Sequence, residues 1–298
     1  LPAPFNKPDL IVVEQFYCYA KTTIPRQLMN SDIPYIIVPR GELTAAAQNR
    51  KSVKKKIFNF IYYRKFARKA TAIQYLTEQE KSDSGERWNT QSLIIPNGVM
   101  LPLEWKKEFT KNGINAVVIG RIEPYQKGLD LLIEACSNCI SEIKKAGMKI
   151  QIYGPDRVGR LAEMQKLVAD KELDDIISFH EGIYGEEKER VLLNADVFII
   201  PSRFEGHPTA LIEALSYGLP ALVTTGANMR SEIEENNAGW GSDITASSIQ
   251  SAIIEMIDER KSFETKGMNA RKLSQNYSWS SLSKISHEKY TNVLNNIK

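Results

Sequence analysis

Strand-like and helix-like patterns of apolar residues alternate along the chain. Short runs rich in Val and Ile are typical of buried strands, and the segments between them repeat apolar residues at helical spacing. The predicted strands are 9–13, 35–39, 71–75, 93–95, 116–119, 149–153, 176–179, 197–201 and 221–224. The predicted helices are 25–29, 52–70, 77–87, 129–145, 160–171, 186–193 and 210–217. Alternation of this kind indicates an α/β fold built on parallel sheets.

The same pattern divides the chain into two domains, as expected for 298 residues at roughly 150 residues per domain. We predict an N-terminal domain at residues 1–104 and a doubly wound domain at 113–275, joined by a polar, Lys-rich connector. The stretch from residue 247 onward is predicted to be helical throughout. Residues 276–298 form its last part.

Composition narrows the class of protein. Apolar residues make up 42% and charged residues 25% of the chain, which is ordinary globular usage and excludes disorder or a fibrous protein. Three Cys in a chain of this length indicate reduced thiols and favour a cytoplasmic location. No apolar run approaches the roughly 18 residues of a membrane span.

Charge is concentrated in one segment. Nine basic residues and no acidic residue lie between Arg50 and Lys69, and subtracting these nine charges from the net charge of +3 leaves −6 on the rest of the chain. Aromatic and aliphatic residues interleave with the charges, so a helix here would have an apolar face with a cationic border. Two interpretations stay open: a core-facing helix with a solvated rim, or a helix that also rests on an anionic membrane surface. Nucleic acid is not predicted as a partner, because no recognition motif accompanies the charge.

The loop after the first strand of the second domain carries two cations. It reads Gly120-Arg121-Ile122-Glu123-Pro124-Tyr125-Gln126-Lys127-Gly128. Ligands of doubly wound sheets bind beyond the carboxyl ends of the strands, and the pair Arg121 and Lys127 at the start of a helix suits a diphosphate. The alternative is an ordinary loop with two surface cations.

A second loop carries two carboxylates that are eight residues apart. Glu205 lies in the loop, and Glu213 lies about one turn inside the predicted helix that follows. The Gly206-His207-Pro208-Thr209 turn between them exposes backbone N–H groups at a helix N-terminus, which favours an anion, while the carboxylates can accept hydrogen bonds from hydroxyls. Hydroxyls beside phosphates suggest a nucleotide sugar. The alternative is a helix-dipole partner and a solvated helix residue.

Other motifs carry weaker signals. Tyr153-Gly154-Pro155-Asp156 and residues 179–185 follow strands and suit a flat base. The pair Cys136 and Cys139 lies inside the predicted helix 129–145 without a second pair at zinc spacing, so we expect buried or half-buried thiols rather than a metal or redox site. His207 lies near the predicted chemistry, but the backbone of its neighbours explains the loop without a general base.

Together these motifs resemble the donor domain of retaining family 4 glycosyltransferases. The resemblance is carried by 120–128, by Tyr153-Gly154 and by the Glu205-x7-Glu213 element with Gly218-Leu219-Pro220 downstream. The N-terminal third resembles the acceptor domain of that family. There it is carried by Pro39-Arg40-Gly41-Glu42-Leu43, the basic segment, residues 76–80 and Ile95-Pro96-Asn97-Gly98-Val99. Tyr277-Ser278-Trp279 resembles the start of a C-terminal helix that returns to the acceptor domain.

The resemblance implies a GT-B fold, in which two Rossmann-like doubly wound domains face each other across a cleft. It implies transfer of a sugar from a nucleoside diphosphate sugar to a glycan or lipid-linked acceptor with retention of anomeric configuration. A leaving phosphate oxygen helps to deprotonate the acceptor in such enzymes, and neither a metal nor another cofactor is expected. Surface polysaccharide biosynthesis would suit the basic segment, and would place the protein in the cytoplasm or on the inner face of the cytoplasmic membrane.

The resemblance also assigns roles to residues. Arg121 and Lys127 would hold the diphosphate and stabilise the leaving group, Glu205 would bind sugar hydroxyls, and Glu213 would bind the ribose. The predicted catalytic residues are therefore Arg121, Lys127 and Glu205. The predicted donor-binding residues are Gly120, Gly154, Ile183, His207, Pro208, Thr209, Ala210 and Glu213.

Two departures from the family pattern change the expectations. Many members have His-Gly where this chain has Arg40-Gly41, so these two residues are acceptor-side candidates whose role is open. Related acceptor domains also begin with a strand and a Gly-rich loop, followed by further βα units, ahead of the strand predicted at 9–13. We therefore expect an incomplete first domain, either because the chain is a fragment or because the protein has lost this part. A nucleotide-sugar-binding protein without transferase activity and a nucleotide-sugar epimerase remain alternatives.

Overall fold

The computed structural model describes residues 3, 6–19, 22–49 and 58–296. The chain forms two compact units, one consisting of Leu1–Asn97 with Ser280–Lys298 and the other of Gly98–Trp279. Each unit is built on a parallel sheet with helices between the strands. The predicted α/β fold class is confirmed.

The N-terminal unit contains four parallel strands among its described residues, paired in chain order. They are β1 (Ile11–Glu14), β2 (Tyr35–Val38), β3 (Ala72–Tyr75) and β4 (Ser92–Ile94). The intervening helices are α1 (Ile24–Met29), α2 (Ala45–Asn49), α3 (Arg64–Lys69) and α4 (Glu78–Ser84). All side chains of β2 and β3 are buried. Burial on both faces explains why β2 reads as a continuous apolar run, whereas β3 includes the buried polar residue Gln74.

The prediction of one helix over 52–70 is only partly correct. Its described part consists of a π-helical turn at Asn59–Tyr63 followed by α3, and residues 50–57 lie outside the described ranges. Tyr63 and Phe66 are buried in the core of this unit, where the Phe66 ring stacks on Tyr35 with centroids 5.3 Å apart. The described part of the basic segment therefore packs on the core and has a charged rim, and the choice between the two interpretations stays open.

The C-terminal unit contains a six-stranded parallel sheet, which lies wholly within the described residues, in the order β10-β9-β8-β5-β6-β7. Its strands are β5 (Ile114–Ile119), β6 (Met148–Tyr153), β7 (Ile177–His180), β8 (Val197–Ile200), β9 (Ala221–Thr224) and β10 (Gly239–Ser242). Its helices are α5 (Pro124–Lys127), α6 (Leu129–Asn138), α7 (Ile140–Ala146), α8 (Leu161–Asp170), α9 (Gly185–Asn194), α10 (Thr209–Ser216), α11 (Arg230–Glu235), α12 (Ala246–Asp258) and α13 (Phe263–Ser274).

This strand order is doubly wound, with a reversal of direction between β5 and β8. The chain moves outward from β5 to β6 and β7, then returns to the other side of β5 with β8 and continues to β9 and β10. Ligands of such sheets bind where the order reverses, beyond the carboxyl ends of the strands. The loops that follow β5 and β8 are the two that the sequence singles out.

Two details of the C-terminal unit differ from the prediction. The helix predicted at 129–145 is broken at Cys139, whose φ of −130° and ψ of 35° end α6 before α7 begins. Cys136 and Cys139 are both buried, and burial raises the pKa of the Cys139 thiol to about 12. Strand β10 and helix α11 were not predicted, because the strand is the short run Gly239-Trp240-Gly241-Ser242 with glycine at two of its four positions.

The predicted connector is packed against the C-terminal unit. Asp196 is buried and accepts hydrogen bonds from the backbone N–H groups of Thr110 (2.9 Å) and Asn115 (2.8 Å). Lys106 is also buried, and its Nζ lies 3.3 Å from Asp196 Oδ1. The Phe109 ring meets Phe263 edge-on at 6.0 Å. Of the charged residues in this polar, Lys-rich connector, Lys106 is the one used in buried pairing, and the others are exposed.

A final helix, α14 (Trp279–Asn295), runs almost entirely within the N-terminal unit. Tyr290 donates a hydrogen bond of 2.5 Å to Gln74 Oε1, and Lys289 donates one of 2.7 Å to the backbone oxygen of Ile94. These contacts fix α14 against β3 and β4. Across the described residues, none of the helices combines the length and apolarity that crossing a membrane requires.

Candidate functional site

A cavity of about 360 Å³ opens at the reversal point of the C-terminal sheet. Its walls come from the ends of β5 and β8, the loops that follow them, and the first turns of α10. Nine of the residues predicted from the sequence line it: Gly120, Arg121, Lys127, Glu205, His207, Pro208, Thr209, Ala210 and Glu213. Gly154 and Ile183 are not among the lining residues.

Lys127 and Glu205 form an ion pair in the wall of this cavity. Lys127 Nζ lies 2.7 Å from Glu205 Oε1, and the two side chains are only 19% and 11% exposed. Ser202, which is fully buried, donates its hydroxyl to the same oxygen at 2.7 Å. Two donors thus hold the Oε1 atom of Glu205, while the Lys127 ammonium retains N–H groups that can donate to an anion.

The loop after β5 is shaped by its two glycines. Gly128 has a φ of +64° in the left-handed region and links α5 to α6. A Cβ atom there would lie 1.9 Å from the backbone oxygen of Pro201, so the loops after β5 and β8 touch at a point that admits no side chain. A Cβ on Gly120 would lie 3.5 Å from Lys127 Nζ. Lys127 ends the single-turn helix α5 and so precedes the first residue of α6 by two positions, close to the predicted helix start.

Arg203 ties the same two loops together from outside the cavity. Its guanidinium forms a bidentate pair with Asp130, at 2.7 and 2.6 Å, and donates to the backbone oxygen of Tyr125 at 2.9 Å. The Tyr125 ring lies beneath the guanidinium, 4.9 Å from Cζ. The pKa of Arg203 is raised, and the largest cause is its hydrogen bond to Asp130.

The N-terminus of α10 faces the cavity. Pro208 stands at the cap position, where it has no side-chain acceptor for the N–H groups of the first turn. Asn228, at a φ of +58°, holds the preceding turn by donating its amide to the backbone oxygen of Glu205 at 2.5 Å. The helix dipole and these N–H groups favour an anion at this point.

His207 is buried in the same turn, 6% exposed, with its ring 5.2 Å from that of Tyr277. Desolvation lowers its pKa to about 4. A neutral imidazole with so low a pKa is a weak proton acceptor at neutral pH. That His207 serves the loop rather than acid–base chemistry stays a prediction.

Glu213 lies in the second turn of α10 and carries a partner that the sequence did not reveal. Lys188 of α9 places its Nζ 2.8 and 3.0 Å from the two carboxylate oxygens. Arg121, at the opposite wall, is exposed and donates to Gln126 Oε1 at 3.1 Å. Two cations and two carboxylates therefore line one cavity, together with a helix N-terminus.

Gly154 and Ile183 stand outside the cavity wall for identifiable reasons. A Cβ atom on Gly154 would lie 1.7 Å from the backbone oxygen of Gly120, so Gly154 allows the ends of β5 and β6 to approach closely. Ile183 is buried in the loop between β7 and α9. Tyr153 stacks on His180 at 4.6 Å, at the ends of the two strands beside these residues.

The acceptor-side candidates belong to the N-terminal unit. Arg40, at a φ of +49°, pairs with Glu14 (2.7 Å) and donates to Asn97 Oδ1 (2.8 Å). Glu14 is the last residue of β1, and Arg40 and Asn97 follow β2 and β4, so all three lie at the carboxyl edge of that sheet. Gly41 has a φ of +83° and donates its N–H to the buried carboxylate of Glu80.

Sequence reasoning missed four residues that organise the site: Ser202, Arg203, Lys188 and Asn228. Ser202 and Arg203 lie in the loop that the sequence indicates as part of the site, but the partners of their side chains could not be predicted from it. Lys188 reaches Glu213 from a different helix, and Asn228 reaches the loop from the segment after β9, and nothing in the linear pattern signals either contact. Among the described residues, no group of three or more His, Cys, Asp or Glu side chains is placed to hold a metal ion.

Comparison with known proteins extends the description. A family model described as "Glycosyl transferases group 1" matches residues 102–273. The amylovoran biosynthesis glycosyltransferase AmsK of Erwinia amylovora is 34% identical over 122 residues, which are 39% of this chain and 29% of that protein. The match thus spans less than a third of that curated relative.

Two solved structures resemble the whole chain. Sucrose-phosphate synthase from Thermosynechococcus elongatus has a TM-score of 0.78 at 18% identity, covering 97% of this chain and 74% of that one. HepE from Anabaena, solved in complex with UDP and glucose, has a TM-score of 0.77 at 14% identity, covering 95% and 78%. At such identities the likeness shows the fold, which is GT-B. Since the family model matches more than half of the residues, the chain belongs to the group 1 glycosyl transferases.

Proposed function

We propose that this chain transfers a sugar from a nucleoside diphosphate sugar to a glycan or lipid-linked acceptor, with retention of anomeric configuration. The observation that carries the proposal is the convergence of Arg121, Lys127 and the N-terminus of α10 with Glu205 and Glu213 on one cavity. Cations and backbone N–H groups suit a diphosphate, and carboxylates suit the hydroxyls of a sugar and a ribose.

The proposed chemistry requires charge stabilisation rather than a strong base. The bond from the anomeric carbon to the diphosphate breaks with its electron pair on the diphosphate, and the acceptor oxygen bonds to that carbon on the same face. The acceptor proton passes to a phosphate oxygen of the leaving group. Negative charge therefore develops where Arg121 and Lys127 converge with the helix N-terminus, which is the arrangement that accelerates such a step.

We also propose that the reaction needs no metal. A divalent ion would neutralise the charge of the leaving diphosphate, and here two cationic side chains and a helix dipole are placed for the same purpose. Turnover that persists in excess chelator would support this proposal. Turnover that is lost on chelation and restored by Mg²⁺ would contradict it.

The compared proteins support the substrate class and its setting. HepE was solved with UDP and glucose, the parts of a nucleotide sugar, and AmsK is named for the biosynthesis of a polysaccharide. We therefore propose surface polysaccharide biosynthesis as the process served.

Activity can be tested directly on the full gene product. With one nucleotide sugar and crude acceptor lipids or glycans, it should release the nucleoside diphosphate, and Lys127→Ala and Glu213→Ala should abolish the release. Glu235→Ala, a change at an exposed position of α11, is the matched control. Unchanged turnover in both site variants would refute the assignment. Donor binding without turnover would favour a binding protein, and a changed sugar without any acceptor would favour an epimerase.

We further propose that the protein works in the cytoplasm and rests on the inner face of the cytoplasmic membrane through Arg50 to Lys69. Support comes from the nine cations of this segment and from the exposed positions of Arg64, Lys65 and Arg68 on α3. Flotation with anionic vesicles should carry the protein upward, and replacing these three residues by Gln should weaken the association. Equal binding to neutral vesicles, or none to either kind, would contradict the proposal.

A further inference from the structure

Lys188 forms an ion pair with Glu213 that has no role in the proposed reaction. Its Nζ lies 2.8 Å from Glu213 Oε1 and 3.0 Å from Oε2, so one ammonium spans both oxygens of the carboxylate. The side chains of Lys188 and Glu213 are 25% and 33% exposed, so the pair is mostly shielded from water. Glu213 lines the cavity, whereas Lys188 is not among the lining residues.

The fold fixes the origin of this contact. Lys188 lies in the first turns of α9, whose first helical hydrogen bond runs from the Lys188 N–H to the backbone oxygen of Tyr184. A second polar contact holds α9 against α10: Tyr217 donates its hydroxyl to Glu189 Oε1 at 3.2 Å. Lys188 and Glu189, which are neighbours in α9, thus bind Glu213 of α10 and Tyr217, the residue that follows α10.

An ion pair of two flexible surface side chains contributes little to stability, about 0–1 kcal/mol. The main effect of this pair is therefore on the orientation of the Glu213 carboxylate. A carboxylate on an otherwise mobile side chain gains a fixed plane when one ammonium spans both of its oxygens. Each oxygen keeps a further lone pair, so the fixed carboxylate can still accept hydrogen bonds from two hydroxyls on its other side.

We propose that Lys188 is a positioning residue for donor recognition: it orients Glu213 so that the carboxylate accepts hydrogen bonds from the vicinal hydroxyls of a ribose. This inference rests on the proposed function, in which Glu213 binds the ribose of the donor. A donor with a ribose would then be preferred over one with a deoxyribose. The preference would depend on a residue that does not itself touch the nucleotide.

Calorimetric binding of nucleoside diphosphates tests the inference without turnover. Wild-type protein is titrated with uridine, guanosine and adenosine diphosphates, and the tightest binder is then compared with its 2′,3′-dideoxy form. We expect Lys188→Met to weaken binding of the ribonucleotide about tenfold, as for the loss of a charged hydrogen-bond partner. The dideoxy form should bind wild type and Lys188→Met within about twofold of each other, because both hydroxyls that Glu213 binds are gone.

Three variants make the result specific. Arg190→Met, at an exposed position of the same helix, should bind like the wild type. Lys188→Arg should restore part of the affinity, since it retains the charge and the donors. In Glu213→Gln, the added Lys188→Met change should cost little, because the carboxylate on which Lys188 acts is already missing. In turnover, Lys188→Met should raise the donor KM with kcat within about twofold of wild type.

The outcomes distinguish a failure of the proposed function from a failure of the role of Lys188. If wild type binds none of the three diphosphates, both the proposed function and the role of Lys188 fail. If wild type binds one and Lys188→Met binds it equally well, only the role of Lys188 fails. Equal losses on ribose and dideoxyribose forms, or full additivity with Glu213→Gln, would show that Lys188 contacts the nucleotide itself and would overturn the positioning role.

Discussion

Lys127 Nζ lies 2.7 Å from Glu205 Oε1, so the cation assigned to the diphosphate and the carboxylate assigned to the sugar hold each other in place. The two residues are 78 positions apart and follow different strands, and they meet because β5 and β8 are neighbours at the reversal point of the sheet. Ser202 supplies the third member through its hydroxyl. The site is a network that spans two loops, and its two charged members have separable tasks.

That separation can be measured with two ligands. Lys127→Met should weaken binding of both the nucleoside diphosphate and the nucleotide sugar, and should lower turnover by about 100-fold, the usual effect of removing a group that stabilises developing charge. Glu205→Gln should leave nucleoside diphosphate binding within about twofold of wild type and weaken nucleotide sugar binding about tenfold, since it loses an acceptor for the sugar. Titration calorimetry with each ligand gives both values.

Lys111→Met is the matched control for charge, because Lys111 is exposed on the connector. It should behave like the wild type toward both ligands. An equal effect of Glu205→Gln on the diphosphate and on the nucleotide sugar would contradict the assignment of Glu205 to the sugar.

A second prediction concerns Arg203, which joins the loops from outside the cavity. Its bidentate pair with Asp130 and its bond to the oxygen of Tyr125 fix the loop that carries Arg121 and Lys127. We expect Arg203→Met and Asp130→Asn each to lower kcat/KM about tenfold, since a small displacement of positioning groups is costly. The double variant should be no worse than Arg203→Met alone, because that change already removes the pair with Asp130.

Arg203→Lys should recover little of the loss, since an ammonium cannot reproduce the bidentate fork. Kinetics at saturating acceptor, with thermal melting as a check on folding, provide the measurement. Additive losses in the double variant would mean that Arg203 and Asp130 act separately, and the bridge between the loops would then have no role in activity.

Much of the fold could be predicted from the sequence, because strands such as β8 and β9 are buried on both faces and read as apolar runs, while β6 alternates buried and exposed residues. The strands β5, β6, β8 and β9 were found in this way. The elements that were not predicted share one cause: the local residue pattern that indicates a helix or strand was weak there or was overridden. In β10, Gly239 has no side chain to signal a strand, and its absence of Cβ is required by the oxygen of Ala221, 1.9 Å from where that atom would be.

The site was predictable only as far as a motif extends along the chain. Arg121, Lys127, Glu205 and Glu213 stand in two short loops, so residue type and strand position sufficed. Lys188 reaches Glu213 from a different helix, α9, and no spacing in the sequence encodes that contact. The break at Cys139 likewise follows from tertiary packing, since both neighbouring segments favour a helix.

A third prediction concerns the close approach of β5 and β6. A Cβ on Gly154 would lie 1.7 Å from the backbone oxygen of Gly120, and backbone atoms cannot rotate away as a flexible side chain can. We expect Gly154→Ala to lower the free energy of unfolding by about 3 kcal/mol, at the upper end of overpacking effects. Since Gly120 begins the loop that carries Arg121, nucleoside diphosphate binding should weaken as well.

Gly159→Ala is the control, because this glycine has open space around it and a φ of +70°. Its cost should be limited to the left-handed backbone conformation, about 1 kcal/mol, without any effect on nucleotide binding. Denaturant unfolding of both variants measures the difference. Equal costs would mean that the contact between Gly154 and Gly120 is relaxed in solution.

The last prediction follows from the buried imidazole of His207. Desolvation lowers its pKa to about 4 in the folded protein, whereas an unfolded chain has a histidine pKa of about 6.5. Between these values the unfolded state binds a proton that the folded state does not. The stability from a neutral His207 is therefore fully present above pH 6.5, and it declines as the pH falls toward 4. From pH 7.5 to 5 the loss from this one residue is about 2 kcal/mol.

His207→Gln removes this titration, so its free energy of unfolding should fall less steeply than that of the wild type over the same range, with the carboxylates contributing equally to both. Denaturant unfolding at pH 7.5, 6 and 5 measures the two slopes, and parallel slopes would refute the prediction. The same low pKa has a consequence for activity. His207 stays neutral throughout the neutral range, so an inflection of kcat/KM between pH 6 and 8 should persist in His207→Gln, because it must come from the acceptor, the donor or another group.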